Sequence, residues 1–140
     1  LLDSVVVMFD AEEKILSSSL GHQLMDCHPM KKSRIVNVHK RYDQCVRAFQ
    51  DGNLEEVIPV IETESMEMHG LMLSCMPPLL YLNPKSVLFI HDLLKWRNDK
   101  PCFFSIDAGA NIHCVFSREI YPDVENFLGD RTYIKTRFYK

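Results

Sequence analysis

The stretch from Cys102 to Phe116 constrains this chain more than any other. Cys102-Phe103-Phe104-Ser105-Ile106 and Ile112-His113-Cys114-Val115-Phe116 are short apolar runs rich in β-branched and aromatic residues. Between them, Ala108-Gly109-Ala110-Asn111 reads as a tight connection, so the stretch predicts strand, turn, strand. Gly109 takes positive φ at little cost, and Asn111 tolerates it better than most residues. Asp107 closes the first strand. Alternation puts Phe103, Ser105 and Asp107 on one face, and Cys102, Phe104 and Ile106 on the other. A carboxylate in that place either caps a turn amide or is held there for chemistry, and the pattern by itself leaves both readings open.

The rest of the chain supplies helices and two further strands. Ser4 to Asp10 is a buried-strand pattern. Ile15 to Ser19 reads as a short extended segment, followed by a helix from His22 to about Cys27 that upstream serines cap. The free N–H groups of such a helix start suit a phosphate, although a plain serine cap is the commoner case. Amphipathic spacing predicts helices over Ser33 to Gln50, on Ile35, Val36, Val38, Tyr42, Cys45, Val46 and Phe49, and over Leu54 to Cys75. Along the second, Leu54, Val57, Ile58, Ile61, Ser65, Met68 and Met72 form the stripe, with His69 a packed histidine. Met76-Pro77-Pro78 stops it. Asn83-Pro84 opens a helix to about Asn98, Asn as cap and Pro in the first position, with Val87, Ile90, Leu93, Leu94 and Trp96 on its apolar side. A fourth helix follows Ser117, and Arg131 to Phe138 suits a last strand. The order gives an α+β fold, a small antiparallel sheet covered on one face by helices.

One hundred and forty residues, 46% hydrophobic and 25% charged, describe one ordinary globular domain. The net charge of −3 gives no reason to expect nucleic acid or an anionic membrane as partner, and no apolar run reaches the length of a span. Five scattered cysteines, Cys27, Cys45, Cys75, Cys102 and Cys114, with no Cys-x-x-Cys pair, read as reduced cytosolic thiols. Six histidines without a His-Glu-x-x-His arrangement give no zinc site. Leu1 in place of an initiator Met reads as a cut chain.

Several stretches together carry a resemblance. Ile106-Asp107-Ala108-Gly109-Ala110-Asn111 resembles the Asp-Ala-Gly-Pro-Asn signature of mevalonate diphosphate decarboxylases, in the GHMP kinase superfamily. Val5-Val6-Val7, Ser17-Ser18-Ser19-Leu20-Gly21, Met68-His69 and Pro77-Pro78-Leu79-Leu80-Tyr81-Leu82-Asn83 fall in the order that family shows, and they match only its C-terminal half. The resemblance implies a single GHMP C-terminal domain over residues 1–140, a ferredoxin-like sheet with added helices. It also implies an ATP-dependent decarboxylase that makes isopentenyl diphosphate. Asp107 matches the aspartate beside the tertiary hydroxyl that is phosphorylated, where a carboxylate accepts or orients the proton. Ser18, Ser19 and Gly21 match the segment that contacts the substrate diphosphate, with His22 and Ala108 beside these positions.

The match has departures. Ala110 stands where the family has Pro, Ser19 where many bacterial members have Arg, and His22 where Met is common. The five glycines are not clustered, so no phosphate loop is present. The resemblance therefore places the ATP and Mg²⁺ ligands mainly in a preceding half, leaves this chain alone inactive and weak for ATP, and implies the N-terminal half of the same enzyme as partner. A homodimer and a cytoplasmic location accompany it. Two other readings stand beside it: a GHMP small-molecule kinase that uses the same aspartate without decarboxylation, and a non-catalytic ferredoxin-like binding or dimerisation module.

Overall fold

The computed structural model describes residues 1–9 and 18–137. Ten elements follow in order: β1 (Leu2–Val7), α1 (Ser18–Asp26), α2 (Lys31–Gln50), α3 (Leu54–Leu73), α4 (Pro84–Arg97), β2 (Cys102–Ile106), β3 (Ile112–Ser117), a 3-10 turn (Arg118–Ile120), α5 (Tyr121–Leu128) and β4 (Tyr133–Arg137). They make two compact units. One draws its described residues from 1–9 and 82–137, the other from 18–81. Asp10, the extended segment Ile15 to Ser17 and Phe138 lie outside the described residues.

The first unit is a four-stranded antiparallel sheet in the order β2-β3-β1-β4. Its strands and helices run β1, α4, β2, β3, α5, β4, the ferredoxin-like order. Val5 and Val7 of β1, Cys102, Phe104 and Ile106 of β2, and Ile112, Cys114 and Phe116 of β3 form one face with α4 and α5. They pack against Phe89, Ile90 and Leu93 of α4 and Val124 and Leu128 of α5. The face that alternation assigned to Cys102, Phe104 and Ile106 is thus the core face. β1 starts two residues before the expected Ser4 and ends at Val7, where the Met8 amide still donates to the Thr132 carbonyl at 2.9 Å.

Helix α4 begins as its sequence predicts. Asn83 Oδ1 accepts from the Ser86 amide and Ser86 Oγ accepts from the Asn83 amide, both at 2.9 Å, with Pro84 in the first turn. Its apolar side is corrected. Ser86, Phe89, Ile90 and Leu93 are buried, whereas Val87 and Leu94 are exposed, because they follow that stripe by one residue and so lie about 100° round the helix. The fourth helix starts later than Ser117: Arg118–Ile120 is a 3-10 turn, and α5 opens at Tyr121 with Pro122 in its first turn.

In the second unit α2 and α3 pack together, and a charge network joins them. Arg34 Nη1 donates to Glu64 at 2.7 Å and to Glu67 at 2.8 Å, Arg41 Nε donates to Glu64 at 2.7 Å, and Asn37 donates to Glu67 at 3.0 Å. Arg34–Glu64 and Arg41–Glu67 close the ring of contacts. The buried face of α2 is therefore not the predicted one. Only Ala48 of α2 is fully buried, and Ile35, Val36, Tyr42, Val46 and Phe49 are exposed, because the stripe one residue earlier, Arg34, Arg41 and Ala48, meets α3. On α3 Val57, Ser65 and Met72 of the predicted stripe are buried, as is the packed His69, and Val60 joins them. His69 is buried with its ring edge-on to Tyr81, centroids 6.4 Å apart.

The network sets a pH dependence. The Arg34 hydrogen bond, with Arg41 behind it, holds the Glu64 carboxyl below its ordinary range against the opposing effect of burial. Burial pushes Glu67 up, but Asn37, Arg41 and Arg34 together outweigh it and hold that carboxyl down as well. Carboxyls depressed in the folded state stabilise it above their ordinary value of 4.5 and lose that contribution as pH falls through the lowered values. Urea denaturation of the chain is expected to show constant stability from pH 7 to about 5 and a decline below about 4.5. Glu64→Gln is expected to cost about 1–2 kcal/mol at pH 7, discounted because that side chain is a third exposed, and to flatten the acid decline. An unchanged acid limb would show that the pairs contribute nothing.

Candidate active site

The hairpin connection after β2 is where the predicted catalytic carboxylate sits. β2 and β3 end on the pair Ile106 and Ile112, whose side chains go into the core. Asp107 therefore leaves the sheet on the opposite face, and its side chain is 84% exposed. The Gly109 amide donates to the Asp107 carbonyl at 2.8 Å and tightens the turn. Among the described residues the glycines with positive φ are Gly52 and Gly129, so the turn does not use the left-handed freedom of Gly109. Ala108 is half-buried and Ala110 buried.

Asn111 has a different task from the turn role its type implies. Its Oδ1 accepts from the Phe9 amide at 2.9 Å. Asn83, already the cap of α4, donates from Nδ2 to the Phe9 carbonyl at 3.4 Å. Two asparagines from separate sequence motifs thus hold the two polar groups of one peptide residue just beyond β1, and Phe9 stacks obliquely on Phe89, centroids 5.3 Å apart. The sequence flagged both asparagines, one as a cap and one as a turn residue. Their shared partner is separated from them by 74 and 102 residues, which no local pattern reveals.

His113 is the residue that sequence reasoning left out of the site. Its Nε2 lies 3.7 Å from Asp107 Oδ2. The signal was present: Ile112 faces the core, so His113 faces the other way and shares a sheet face with Asp107. A hollow at the other end of the sheet is lined by Asp3, Arg118, Tyr121 and Lys135. There Arg118 makes a two-pronged pair with Asp3 and Lys135 lies over the Tyr121 ring, and Asp107 is not among the lining residues.

The predicted substrate-binding segment forms the start of α1. Ser18 opens that helix and Ser19, Gly21 and His22 follow in its first turns, so the helix begins four residues before the expected His22. Serine and glycine are weak helix formers, and tertiary packing overrides that preference here. Ser19 and His22 are exposed. Gly21 is buried against Tyr81: a Cβ at this position would lie 2.8 Å from the Tyr81 hydroxyl and 3.7 Å from Met72 Cε. Helix propensity alone favours Gly21→Ala by about 1 kcal/mol. The contact with a buried ring reverses that, and the variant is expected to lose about 1–2 kcal/mol in thermal or urea unfolding. A stabilised variant would show that Tyr81 moves aside freely.

The family profile described as the mevalonate 5-diphosphate decarboxylase C-terminal domain matches residues 4–136. A curated phosphomevalonate decarboxylase of Haloferax volcanii is 25% identical over 107 residues, 75% of this chain and 33% of that protein. The solved mevalonate pyrophosphate decarboxylase of Streptococcus pyogenes superposes with a TM-score of 0.91 at 20% identity, over 99% of this chain and 45% of that one. A second solved chain, MDDEF in complex with MVAPP, AMPPCP and magnesium, gives a TM-score of 0.85 at 21% identity over 98% of this chain and 46% of its own. The chain thus spans a third of the curated relative and under half of the solved ones.

Proposed function

Because the chain belongs to the mevalonate 5-diphosphate decarboxylase C-terminal domain family, we propose that it is the C-terminal part of an ATP-dependent decarboxylase in the mevalonate pathway. The observation that carries this reading is Asp107, an exposed carboxylate at the end of a core strand, in the motif position the family uses beside the reacting hydroxyl. A tertiary alcohol is a poor nucleophile. A carboxylate that accepts or orients its proton lowers the barrier to phosphoryl transfer, after which phosphate and carbon dioxide leave. Ser18, Ser19, Gly21 and His22 at the start of α1, with Ala108 beside Asp107, are the proposed contacts to the phosphate end of the substrate. A helix start leaves the first-turn amides, those of Ser18 and Ser19 among them, without intrahelical partners, which supports this role for these two.

Among the described residues no three His, Cys, Asp or Glu side chains gather as metal ligands. The ATP and Mg²⁺ ligands are proposed in a preceding half, and the 140-residue chain alone is proposed to be inactive. No helix among the described residues is long and apolar enough to cross a membrane; a cytoplasmic location is proposed from the family resemblance alone.

Mevalonate 5-phosphate is the second substrate reading. The curated relative is a phosphomevalonate decarboxylase, and Ser19 provides no positive charge for a second phosphate. The deciding experiment supplies the complete protein with ATP, Mg²⁺ and either ester, and measures carbon dioxide. Release from the diphosphate supports the first reading, and release from the monophosphate alone supports the second. ATP consumption without carbon dioxide would replace both with a kinase.

A further inference from the structure

An exposed aspartate at a hairpin end rotates among its rotamers on a picosecond-to-nanosecond scale. A base that must meet one hydroxyl gains rate from being aimed. The side chain that approaches the Asp107 carboxylate among the described residues is His113, Nε2 to Oδ2 at 3.7 Å. We propose that His113 is a positioning residue for Asp107: its Nε2–H holds Oδ2 and thereby leaves Oδ1 free for the substrate hydroxyl. The proposal rests on the reading of Asp107 given above.

The sheet register brings the pair together. His113 lies opposite Ser105 on β2 and opposite Val6 on β1. Asp107 follows Ser105 by two residues, so it is the diagonal neighbour of His113 on the same face, within reach of a long side chain. The other side chains that β1 and β2 present around His113 are Ser4, Met8 and Phe103, none of which ionises near neutrality, and Asp107 is the charged group facing it from these strands. The imidazole is half-buried while the carboxylate is almost wholly exposed, so the ring is the more fixed partner. At 3.7 Å the contact is an ion-pair approach longer than a hydrogen bond, and closing it takes about 0.5–1 Å. Catalytic hydrogen bonds are often long before substrate arrives and tighten in the complex. Both the neutral Nε2–H tautomer and the imidazolium carry the required proton.

Two measurements test this. In the 140-residue chain, the Hα–Hβ couplings of Asp107 are expected to report one dominant χ1 rotamer, which becomes averaged in His113→Ala and is restored in His113→Gln. A glutamine amide reaches the place of Nε2, whereas an asparagine reaches only that of Nδ1. In the complete protein, His113→Ala is expected to lower kcat about tenfold or more with KM within about twofold, His113→Gln to recover most of the rate, and His113→Asn not to. Averaged couplings in the parent chain, a single rotamer in His113→Ala, an unchanged kcat, or a glutamine variant as slow as alanine would each overturn the proposal. A complete Asp107→Asn enzyme at full rate, with the couplings behaving as expected, would remove the catalytic reading of Asp107 and leave the pairing standing.

Discussion

Asp107→Asn in the complete protein is expected to lower kcat by about 10²–10⁴-fold, the usual loss of a general base, with kcat/KM falling in parallel. Asparagine keeps the shape and the hydrogen-bonding reach of aspartate but does not accept the hydroxyl proton. The competing account makes Asp107 a turn cap. It predicts nearly full turnover and a stability loss of about 1 kcal/mol. The geometry favours the first outcome. The turn hydrogen bond at this position uses the Asp107 backbone carbonyl, which asparagine retains, and the carboxylate itself projects away from the core, 84% exposed, with the His113 imidazole 3.7 Å away. The variant is therefore expected to unfold with the parent in urea while its turnover collapses. Steady-state kinetics and a denaturation curve on the same preparation read both quantities, and retained turnover would end the catalytic assignment.

Phe104→Ala is expected to give the largest loss of stability of any single substitution considered, about 3–5 kcal/mol. Phe104 is 2% exposed and belongs to the cluster that joins β2 and β3 to α4 and α5. Deleting its ring removes the transfer free energy and leaves a cavity that strands fixed by hydrogen bonds collapse into poorly. Against a typical total of about 5–15 kcal/mol, such a loss leaves the unit marginal. Val87→Ala and Leu94→Ala on the exposed side of α4 serve as controls, expected within about 0.5 kcal/mol of the parent. Urea midpoints rank the three variants. A Phe104→Ala loss below about 1 kcal/mol, or an equal loss at Val87, would misplace the core.

What the sequence made legible follows from range. The alternation over Cys102 to Ile106 and the Asn83-Pro84 helix start are local codes, and both describe the molecule correctly. The faces of α2 were not legible. Its apolar residues outnumber what α3 covers, and Arg34 and Arg41 are drawn inward only because Glu64 and Glu67 stand on a helix some thirty residues on. The start of α1 was misplaced because Ser and Gly carry little helical preference, while the reason for Gly21 is a tyrosine sixty residues away in sequence. In the hairpin, the motif singles out Asp107, whereas its approach to His113 required the register of β2 against β3. The tasks of Asn83 and Asn111 required knowing where Phe9 lies.

The pairing of β1 with β3 and β4 also governs the order in which the protein takes shape during synthesis. Within this chain β1 is synthesised well before its partners, which are more than a hundred residues downstream, as the contacts Phe9–Asn111 and Ser4–Thr136 show. At about 5–20 residues per second, Val5-Val6-Val7 waits on the order of 5–20 s with both edges unpaired. Closing so long a loop costs about 4 kcal/mol of chain entropy before any sheet contact forms. Helices α2 and α3 have no such delay, because their partners are neighbours in sequence. The sheet that carries Asp107 is therefore the late-folding part, and a nascent chain stalled before β3 displays a bare valine strand to whatever chaperone or aggregate meets it first.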